Sequence, residues 1–302
     1  MFIADMHSDS LSKVSESRGL ISEYNTSRTY PYLQLFAACT PFCASSPEAR
    51  RQKTMRYLNV FIYECARLGI ERIDDVRSLC NATDNSLPSA MFTIEGGGGL
   101  FADSEELFTL HKAGLRVMGL VWDKNELGSS SYDNDDEGLT PEGIRMAKRC
   151  AELGITVDVS HLSDRGFYDL CEAYPLPIIA THSNFRDVCQ SRRNLTADMA
   201  KTIVSRGGVI GLNLYPDFLR EGKDASVEDV IRHIDYCLER FGDGCLGLGL
   251  DIDGTSGKYP HPIDENSSIH DRLIEELSLR YPDATVRKIA GENVTDFFKG
   301  VL

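Results

Sequence analysis

Short apolar segments alternate with longer charged segments along most of the chain. This alternation is typical of βαβ units, in which parallel strands are connected by helices. Most of the apolar segments are rich in branched residues, as expected of strands that are buried on both faces. Eight strands are predicted, at residues 2–7, 33–40, 89–95, 115–122, 155–161, 177–183, 207–215 and 245–253.

The segments between these strands have helical character. One of them begins with Thr140 and Pro141, a helix cap followed by a proline in the first turn. The glycine-rich segments 96–99 and 128–138 are predicted to be loops. The acidic part of the second loop, 132–137, is interpreted as solvated surface, with a lid over a substrate as the alternative. Helices are predicted at 47–68, 104–113, from 140 onward, 163–174, 196–206 and 227–241, and near 269–280 and 285–299.

Eight strands with intervening helices predict a (β/α)8 barrel, the α/β fold known as the TIM barrel. Barrels of this kind commonly exceed about 200 residues as one unit, so residues 1–302 are predicted to form one domain. An open, doubly wound sheet is the alternative, because the even spacing of the strands is compatible with both arrangements.

The composition restricts the expected partners. The formal net charge is −14 and the isoelectric point is about 5.0. Such a surface repels phosphate groups, so nucleic acid is not an expected partner and anionic membranes are disfavoured. No segment reaches the roughly 20 apolar residues that cross a bilayer. Because the first residues also lack a basic, apolar leader, a cytoplasmic location is predicted.

The cysteines are scattered and form no Cys-x-x-Cys pair, which argues against a thiolate zinc site. We expect most of them to be small, buried, free thiols. The nine are Cys39, Cys43, Cys65, Cys80, Cys150, Cys171, Cys189, Cys237 and Cys245.

Polar residues collect at the predicted strand ends. The carboxyl ends of the strands are where the chemistry of a TIM barrel is found. Alternate residues of a strand point the same way, so His7 and Asp9 share one face. Glu95 ends the third predicted strand and is followed by four glycines that permit close approach. The residues at the other ends are His161, His182, Asp251 and Asp253.

Imidazole and carboxylate groups together favour a divalent metal, with zinc first and manganese, iron or cobalt as alternatives. Three histidines and two acids exceed the three protein ligands that a catalytic zinc normally takes. They suit two ions that share a bridging carboxylate. The remaining histidines are interpreted as satisfied core residues; they are His111, His233, His261 and His270.

The sequence resembles the membrane (renal) dipeptidase family, zinc peptidases of the amidohydrolase type. The resemblance extends over nearly the whole chain. Its most specific block contains His-Ser and, after eight intervening residues, Arg-Arg-Asn-Leu. It rests on DMHSD at 5–9, TIEGGGG at 93–99, VDVSHLSD at 157–164, ATHSNFRDVCQSRRNLTADM at 180–199, GLGLDIDG at 247–254 and IAGENVTDFF at 289–298.

The resemblance implies a role for each matched residue. His7 and Asp9 would bind one zinc, and Glu95 would bridge it to the other. His161 and His182 would bind that second zinc. Arg193 would bind the α-carboxylate of a dipeptide, for which a planar guanidinium is well suited, and Asp251 would act beside the water. The chain resembles the shorter, bacterial-type members of the family. The resemblance also suggests that it forms a homodimer.

One position departs from the family pattern. The family has a histidine at the end of the fourth strand, where it stabilises the oxyanion, and Trp122 stands there in this chain. An indole N–H can donate a hydrogen bond but cannot shuttle a proton. Asn125, Lys124 or Tyr132 are candidate substitute donors. Tyr215 is a further predicted substrate contact, together with Trp122 and Asn125.

These observations predict a zinc-dependent dipeptidase in which a hydroxide held between two ions attacks the peptide carbonyl. Asp251 would accept the proton of the water and pass it to the leaving amine. One alternative is another amidohydrolase activity, such as a lactonase or phosphotriesterase, whose metals are often bridged by a modified lysine; Lys124 lies near the matching strand. The other is a catalytically weak binding protein on this scaffold.

Overall fold

A curled sheet of parallel strands surrounded by helices forms the centre of the fold. The computed structural model describes residues 1–11, 32–40, 46–133, 137–222, 224–255, 258–263 and 268–302. The strands are β1 (Ile3–Asp5), β2 (Tyr32–Cys39), β3 (Glu71–Arg72), β4 (Ser89–Glu95), β5 (Leu115–Gly119), β6 (Thr156–Asp158), β7 (Ile210–Leu212) and β8 (Leu246–Leu248). They pair in the order β6-β5-β4-β2-β1-β8-β7, with β3 beside β4, and every pair is parallel.

Seven of the eight predicted strand segments contain a strand, although most strands are shorter than predicted. The exception is the segment 177–183. In it Ile179 forms a parallel bridge to Asp158 of β6, and Ala180 forms one to Ile210 of β7. The structure therefore confirms a curled parallel sheet flanked by helices. The segment 177–183 lies between the two outer strands, β6 and β7, and is joined to each of them by a single bridge.

Glycines permit the segment around Thr181 to approach its neighbours closely. A Cβ atom on Gly211 would lie 2.0 Å from the carbonyl oxygen of Thr181, and one on Gly249 would lie 1.7 Å from the same atom. These distances are far inside van der Waals contact, so only glycine fits at either position. The segment that carries His182 is thereby held against β7 and the end of β8.

The helices follow the predicted positions closely. They are α1 (Pro47–Leu68), α2 (Val76–Asp84), α3 (Glu105–Lys112), α4 (Pro141–Leu153), α5 (Asp164–Ala173), α6 (Ala197–Ser205), α7 (Pro216–Leu219), α8 (Val227–Phe241), α9 (Ile269–Ser278), α10 (Asp283–Arg287) and α11 (Asn293–Val301). The predicted helix start is confirmed, because the Thr140 side chain accepts a hydrogen bond from the backbone N–H of Gly143 and Pro141 follows it.

The helices differ from the predictions in two respects. Two short helices were not predicted: α7, and α2, which begins with a reciprocal cap between Asp75 and Ser78. The helix predicted at 285–299 is interrupted by a π-helical turn, Lys288–Glu292, between α10 and α11. Of the predicted acidic loop, residues 134–136 lie outside the described residues.

Apolar side chains fill both faces of the sheet below its carboxyl edge. One cluster packs the outer faces of the strands against the helices. A second contains alternate residues of the same strands, such as Ala4, Leu33 and Leu35, and is completed by Val294 and Phe298 of α11. Polar side chains, among them His7 and Glu95, are buried at the carboxyl ends of the strands. Within the described ranges, no helix has the length and apolar character that crossing a bilayer requires.

Candidate functional site

Three histidines converge on Glu95 at the carboxyl edge of the sheet. The Oε1 atom of Glu95 lies 2.7 Å from His161 Nε2, 3.3 Å from His182 Nε2 and 3.6 Å from His7 Nε2. The Nε2 atoms of His161 and His182 are 3.0 Å apart. All four side chains are at most 5% exposed. The structure therefore brings together four residues that the sequence singled out from four different strand ends.

Two aspartates complete the group on the His7 side. His7 Nε2 lies 3.8 Å from Asp9 Oδ1 and 3.8 Å from Asp251 Oδ1. Asp251 has a backbone φ of 55°, in the left-handed region that residues other than glycine rarely adopt. Asn213 holds its other oxygen, Oδ2, through an Nδ2–H donor at 3.1 Å. This unusual backbone conformation points to a constrained role for Asp251.

The donor atoms fit divalent ions. Two ligands of a tetrahedral zinc, each about 2.1 Å from the ion, are separated by about 3.4 Å. The separations among His161 Nε2, His182 Nε2 and Glu95 Oε1 are 2.7, 3.0 and 3.3 Å, so these atoms are near enough to share one ion. Moreover, His7 Nε2 and Glu95 Oε2 are buried and make no hydrogen bond with any residue that the structure describes. Buried polar atoms are normally satisfied, so these two indicate a ligand position.

The carboxylates of the site repel one another in a buried setting. Burial and the charge of Asp9 raise the pKa of Glu95 well above its usual value. Burial and Asp9 likewise raise the pKa of Asp251 to about 6. For His7, burial favours the neutral ring, but Glu95 and Asp9 outweigh it and raise the pKa to about 10. The site therefore has an excess of negative charge that a cation would offset.

The other two histidines have the opposite tendency. Burial and the charge of Arg193 lower the pKa of His161 well below its usual value. Burial, followed by His7 and Arg193, lowers the pKa of His182 in the same way. Neutral imidazole is the form that binds metals, so both rings are suited to ligation.

A hydrogen-bonded network orients His182. Asp158, the last residue of β6, accepts hydrogen bonds from the Oγ–H of Ser160 at 2.7 Å and of Thr181 at 2.6 Å. Because the Thr181 hydroxyl donates to Asp158, it must accept from His182 Nδ1–H, which lies 2.8 Å away. The proton is thereby fixed on Nδ1 and the Nε2 lone pair faces Glu95. Such outer partners are typical of metal-binding histidines, and they were not predicted from the sequence.

A second network anchors the strand that carries His7. Asp5 Oδ1 accepts hydrogen bonds from the backbone N–H groups of His7 and Leu250, at 3.2 and 3.1 Å. Asp5 Oδ2 lies 2.7 Å from Nε2 of His270, which is buried in α9. This carboxylate therefore joins β1, the end of β8 and α9 directly behind the ligands.

The four remaining histidines were interpreted as buried core residues with satisfied hydrogen bonds, and the structure confirms this for two of them. His270 and His233 are buried and hydrogen-bonded, the latter through Nε2 to the carbonyl of Leu219 at 3.1 Å. It is wrong for His261, which is exposed, because its segment pairs with the start of α8 at the surface. His111 is only partly buried.

A cavity of about 320 Å³ opens above the histidines. This volume is at the small end of ligand pockets. One wall is aromatic: the Trp122 ring lies 5.4 Å from that of Tyr132 and 5.6 Å from that of His161. Tyr215 and Phe218 also line the cavity, and their rings are 4.8 Å apart. Three of the predicted substrate contacts, Trp122, Tyr215 and Arg193, thus border the cavity.

Arg193 is buried at the base of this cavity. Its Nη1 donates to the carbonyl of Ser160 and to the Oγ of Ser183, and its Nη2 donates to the carbonyl of His182 and to Nε2 of His161, both at 3.2 Å. Its Nε, also buried, makes no hydrogen bond within the described part of the chain. The guanidinium is therefore fixed in position and retains one donor.

The two remaining candidates on the fourth predicted segment are placed elsewhere. Asn125 is not among the residues that line the cavity; its amide donates to the carbonyl of Leu120 and accepts from the N–H of Leu127. Lys124 is exposed, and its Nζ lies 2.8 Å from Glu137. A modified lysine bridge at Lys124 is incompatible with this location.

The family described as Membrane dipeptidase (Peptidase family M19) has a sequence profile that matches residues 32–301. Among curated proteins, the chain is 36% identical over 220 residues to the uncharacterized protein in the pqqA 5' region of Klebsiella pneumoniae, covering 69% of this chain and 80% of that protein. It is 27% identical over 237 residues to dipeptidase 3 of Mus musculus, covering 72% of this chain but only 48% of that protein.

Among solved structures, the fold is similar to that of a metallo peptidase from Rhodobacter sphaeroides liganded with a phosphinate mimic of the dipeptide L-Ala-D-Ala. The TM-score is 0.87 at 23% sequence identity, with 100% of this chain and 99% of that chain covered. At this level of identity the likeness concerns the fold.

Proposed function

Because the chain belongs to the membrane dipeptidase family of metal-dependent peptidases, we propose that it hydrolyses dipeptides at a centre of two divalent ions, with Zn²⁺ as the first choice. The observation that carries the proposal is the buried meeting of His7, His161 and His182 on Glu95 beneath a small cavity. The small volume of that cavity favours short substrates.

His161 and His182 would hold one ion, His7 and Asp9 would hold the other, and Glu95 would contact both. Two observations support this assignment of ligands. All three histidine Nε2 atoms lie within 3.6 Å of Glu95 Oε1, and the other carboxylate oxygen, Oε2, is buried without a hydrogen bond among the described residues. When bound, the ions would lower the pKa of a water toward neutrality and polarise the scissile carbonyl. The residues of the chain supply the rest of the chemistry.

Asp251 is the proposed general base and acid. It borders the cavity, and the hydrogen bond from Asn213 to Oδ2 leaves Oδ1 directed toward the His7 side of the site. From there it would accept the proton of the attacking water and deliver it to the leaving amine. Positioned proton transfer of this kind is typically worth about 10²- to 10⁴-fold in rate.

Arg193 is the proposed anchor for the free carboxylate of the dipeptide. Its backbone partners hold the guanidinium still, so little conformational entropy is lost when a carboxylate binds. Trp122 replaces the strand 4 histidine of the family, and together with Tyr132 it forms a wall over His161. We propose that this wall, rather than a cationic group, contacts the reacting carbonyl side of the substrate.

We also propose that the curled sheet is a complete (β/α)8 barrel in which the segment 177–183 takes the place of the missing strand. The bridges of Ile179 and Ala180 support this closure. The cytoplasmic location and the homodimer stay predictions, the first from sequence features and the second from the family resemblance.

Turnover of a panel of L,L and L,D dipeptides tests the proposal directly. Chelation of the metal is expected to abolish hydrolysis, and zinc, cobalt or manganese should restore it, because the reactive water depends on the ions. The measurement is release of free amino acid from apo and reloaded protein. Equal hydrolysis by the apo protein would refute the metal mechanism. Metal binding without turnover of any dipeptide would instead favour the binding-protein alternative.

Thr181→Val is expected to lower the affinity for one ion while leaving the fold intact. The substitution removes the hydroxyl that fixes the proton on His182 Nδ1 but keeps the volume of the side chain. Loss of such an outer partner typically costs about 10- to 100-fold in metal affinity. Calorimetric zinc titration measures the change. Thr156→Val, in the same strand as Asp158 but without a described bond to a ligand, is the matched control; equal effects of the two variants would remove the orienting role.

A further inference from the structure

Cys39 lies at the end of β2, beside the proposed bridging carboxylate. In the register of the two strands, Cys39 is the direct partner of Glu95. The cysteine is buried, and the ligand atoms of Asp9, Cys39 and Glu95 all lie within 4.8 Å of one another. A sulfur and an oxygen bound to one tetrahedral zinc are about 3.6 Å apart. The three ligand atoms therefore face the same small volume, in which one ion could contact all of them.

Neighbouring atoms independently indicate a ligand in the same space. His7 Nε2 and Glu95 Oε2 are buried without a hydrogen bond among the described residues. Glu95 forms one group of possible metal ligands with Asp9 and Cys39, and His7 forms another with Asp9 and Asp251, so Asp9 is common to both. We propose that Cys39 is a thiolate ligand of the ion held by His7 and Asp9, an inference that rests on the proposed two-metal centre.

Ligation by Cys39 requires no electron transfer. The S–H bond breaks, its proton passes to solvent, and a metal–sulfur bond forms. The lack of a Cys-x-x-Cys pair in the sequence argues against a zinc site built mainly from thiolates. A single cysteine among histidines and carboxylates has no such spacing, and only the pairing of β2 with β4 brings it to Glu95.

A thiolate would make the two metal positions unequal. Soft sulfur ligands favour zinc and cobalt over manganese and magnesium. With Cys39, the His7 position would have four protein ligands, one of them sulfur. The His161 position would keep three, none of them sulfur. We therefore expect one tightly held ion, selective for zinc or cobalt, and one that exchanges more readily.

Cobalt substitution tests the inference. Apo protein loaded with two equivalents of Co²⁺ is expected to show visible ligand-field bands together with a near-ultraviolet sulfur-to-cobalt charge-transfer band. Cys39→Ser should lose the near-ultraviolet band, keep the visible bands, and bind the tighter ion about 10-fold or more less strongly. Cys150→Ser is the matched control, since that buried sulfur lies against Met118, 3.9 Å from its sulfur.

The outcomes separate this inference from the proposed function. Visible bands without the near-ultraviolet band in the unmodified protein would overturn the role of Cys39 and leave the metal centre standing. Absence of both bands would overturn the centre and the inference together. X-ray absorption of the zinc-loaded, unmodified protein needs no variant. A sulfur scatterer at about 2.3 Å supports ligation, and a shell of only nitrogen and oxygen refutes it.

Discussion

Glu95→Gln is expected to reduce kcat/KM for dipeptides by more than about 10³-fold and to lower the metal content from two ions to one or none. Glu95 Oε1 is within 3.6 Å of all three histidine nitrogens, and its second oxygen is the proposed contact to the other ion. A carboxamide has the same shape but lacks the charge and one acceptor atom. The loss should exceed the roughly 100-fold upper cost of removing an outer partner.

The variant should fold as well as the apo wild-type protein, because it removes one of several buried carboxylates that repel one another. Zinc at about 100 times its Kd stabilises a binding protein by about 2.7 kcal/mol. We therefore expect zinc to raise the Tm of the wild-type protein and to leave that of Glu95→Gln almost unchanged. Glu64→Gln, at a buried glutamate of α1 paired with Arg67, should retain the zinc response. Full activity of Glu95→Gln would contradict the bridging role.

Arg193→Lys is expected to raise KM for dipeptides with a free carboxylate by about 10- to 100-fold. Hydrogen bonds to charged groups contribute about 1.5 to 3 kcal/mol, and a lysine keeps the charge but loses the planar fork. In the structure, that fork also spans the carbonyls of Ser160 and His182. Lysine cannot reproduce these contacts together with a bond to substrate. Steady-state kinetics on a free and a C-terminally amidated dipeptide measure the effect.

Arg192 provides a control next to Arg193 in the chain. It donates to the backbone carbonyl of Asp133 and is more exposed than Arg193. Arg192→Lys should leave both kinetic constants within about twofold of the wild-type values. If Arg193→Lys weakens the amidated analogue as much as the free dipeptide, the residue holds the site together without binding the carboxylate. Circular dichroism of each variant reports whether the fold is retained.

Local patterns in the sequence were sufficient for most of the fold. The bounds of α1 and α8 agree with the prediction, because both helices are long, and apolar residues recur on their buried faces. The short α2 was missed, since it has only nine residues and buries only two of them, Leu79 and Ala82. The segment 177–183 was assigned a whole strand from its composition. Its pairing is limited to the single bridges of Ile179 and Ala180, where glycine backbones pack against it.

The site shows the same division between local and long-range information. His7, Glu95, His161 and His182 could be selected because each ends a recognisable strand segment. Their partners could not be, because the contact between Asp5 and His270 joins residues 265 positions apart, and no local pattern identifies such a pair. Thr181 looked like an ordinary strand residue until its bonds to Asp158 and His182 were visible.

The link between Asp5 and His270 also bears on how the protein is made. A ribosome adds about 5 to 20 residues per second, so the 265 positions between them correspond to roughly 10 to 50 s of translation. During that time β1 has β2 available as a partner, but the donor from Leu250 and the imidazole of His270 are not yet synthesised. The strand that carries His7 is therefore fully secured only late in synthesis. Metal loading would follow translation, and messages truncated before codon 250 would yield chains that contain all three histidines yet lack the anchor of the first strand.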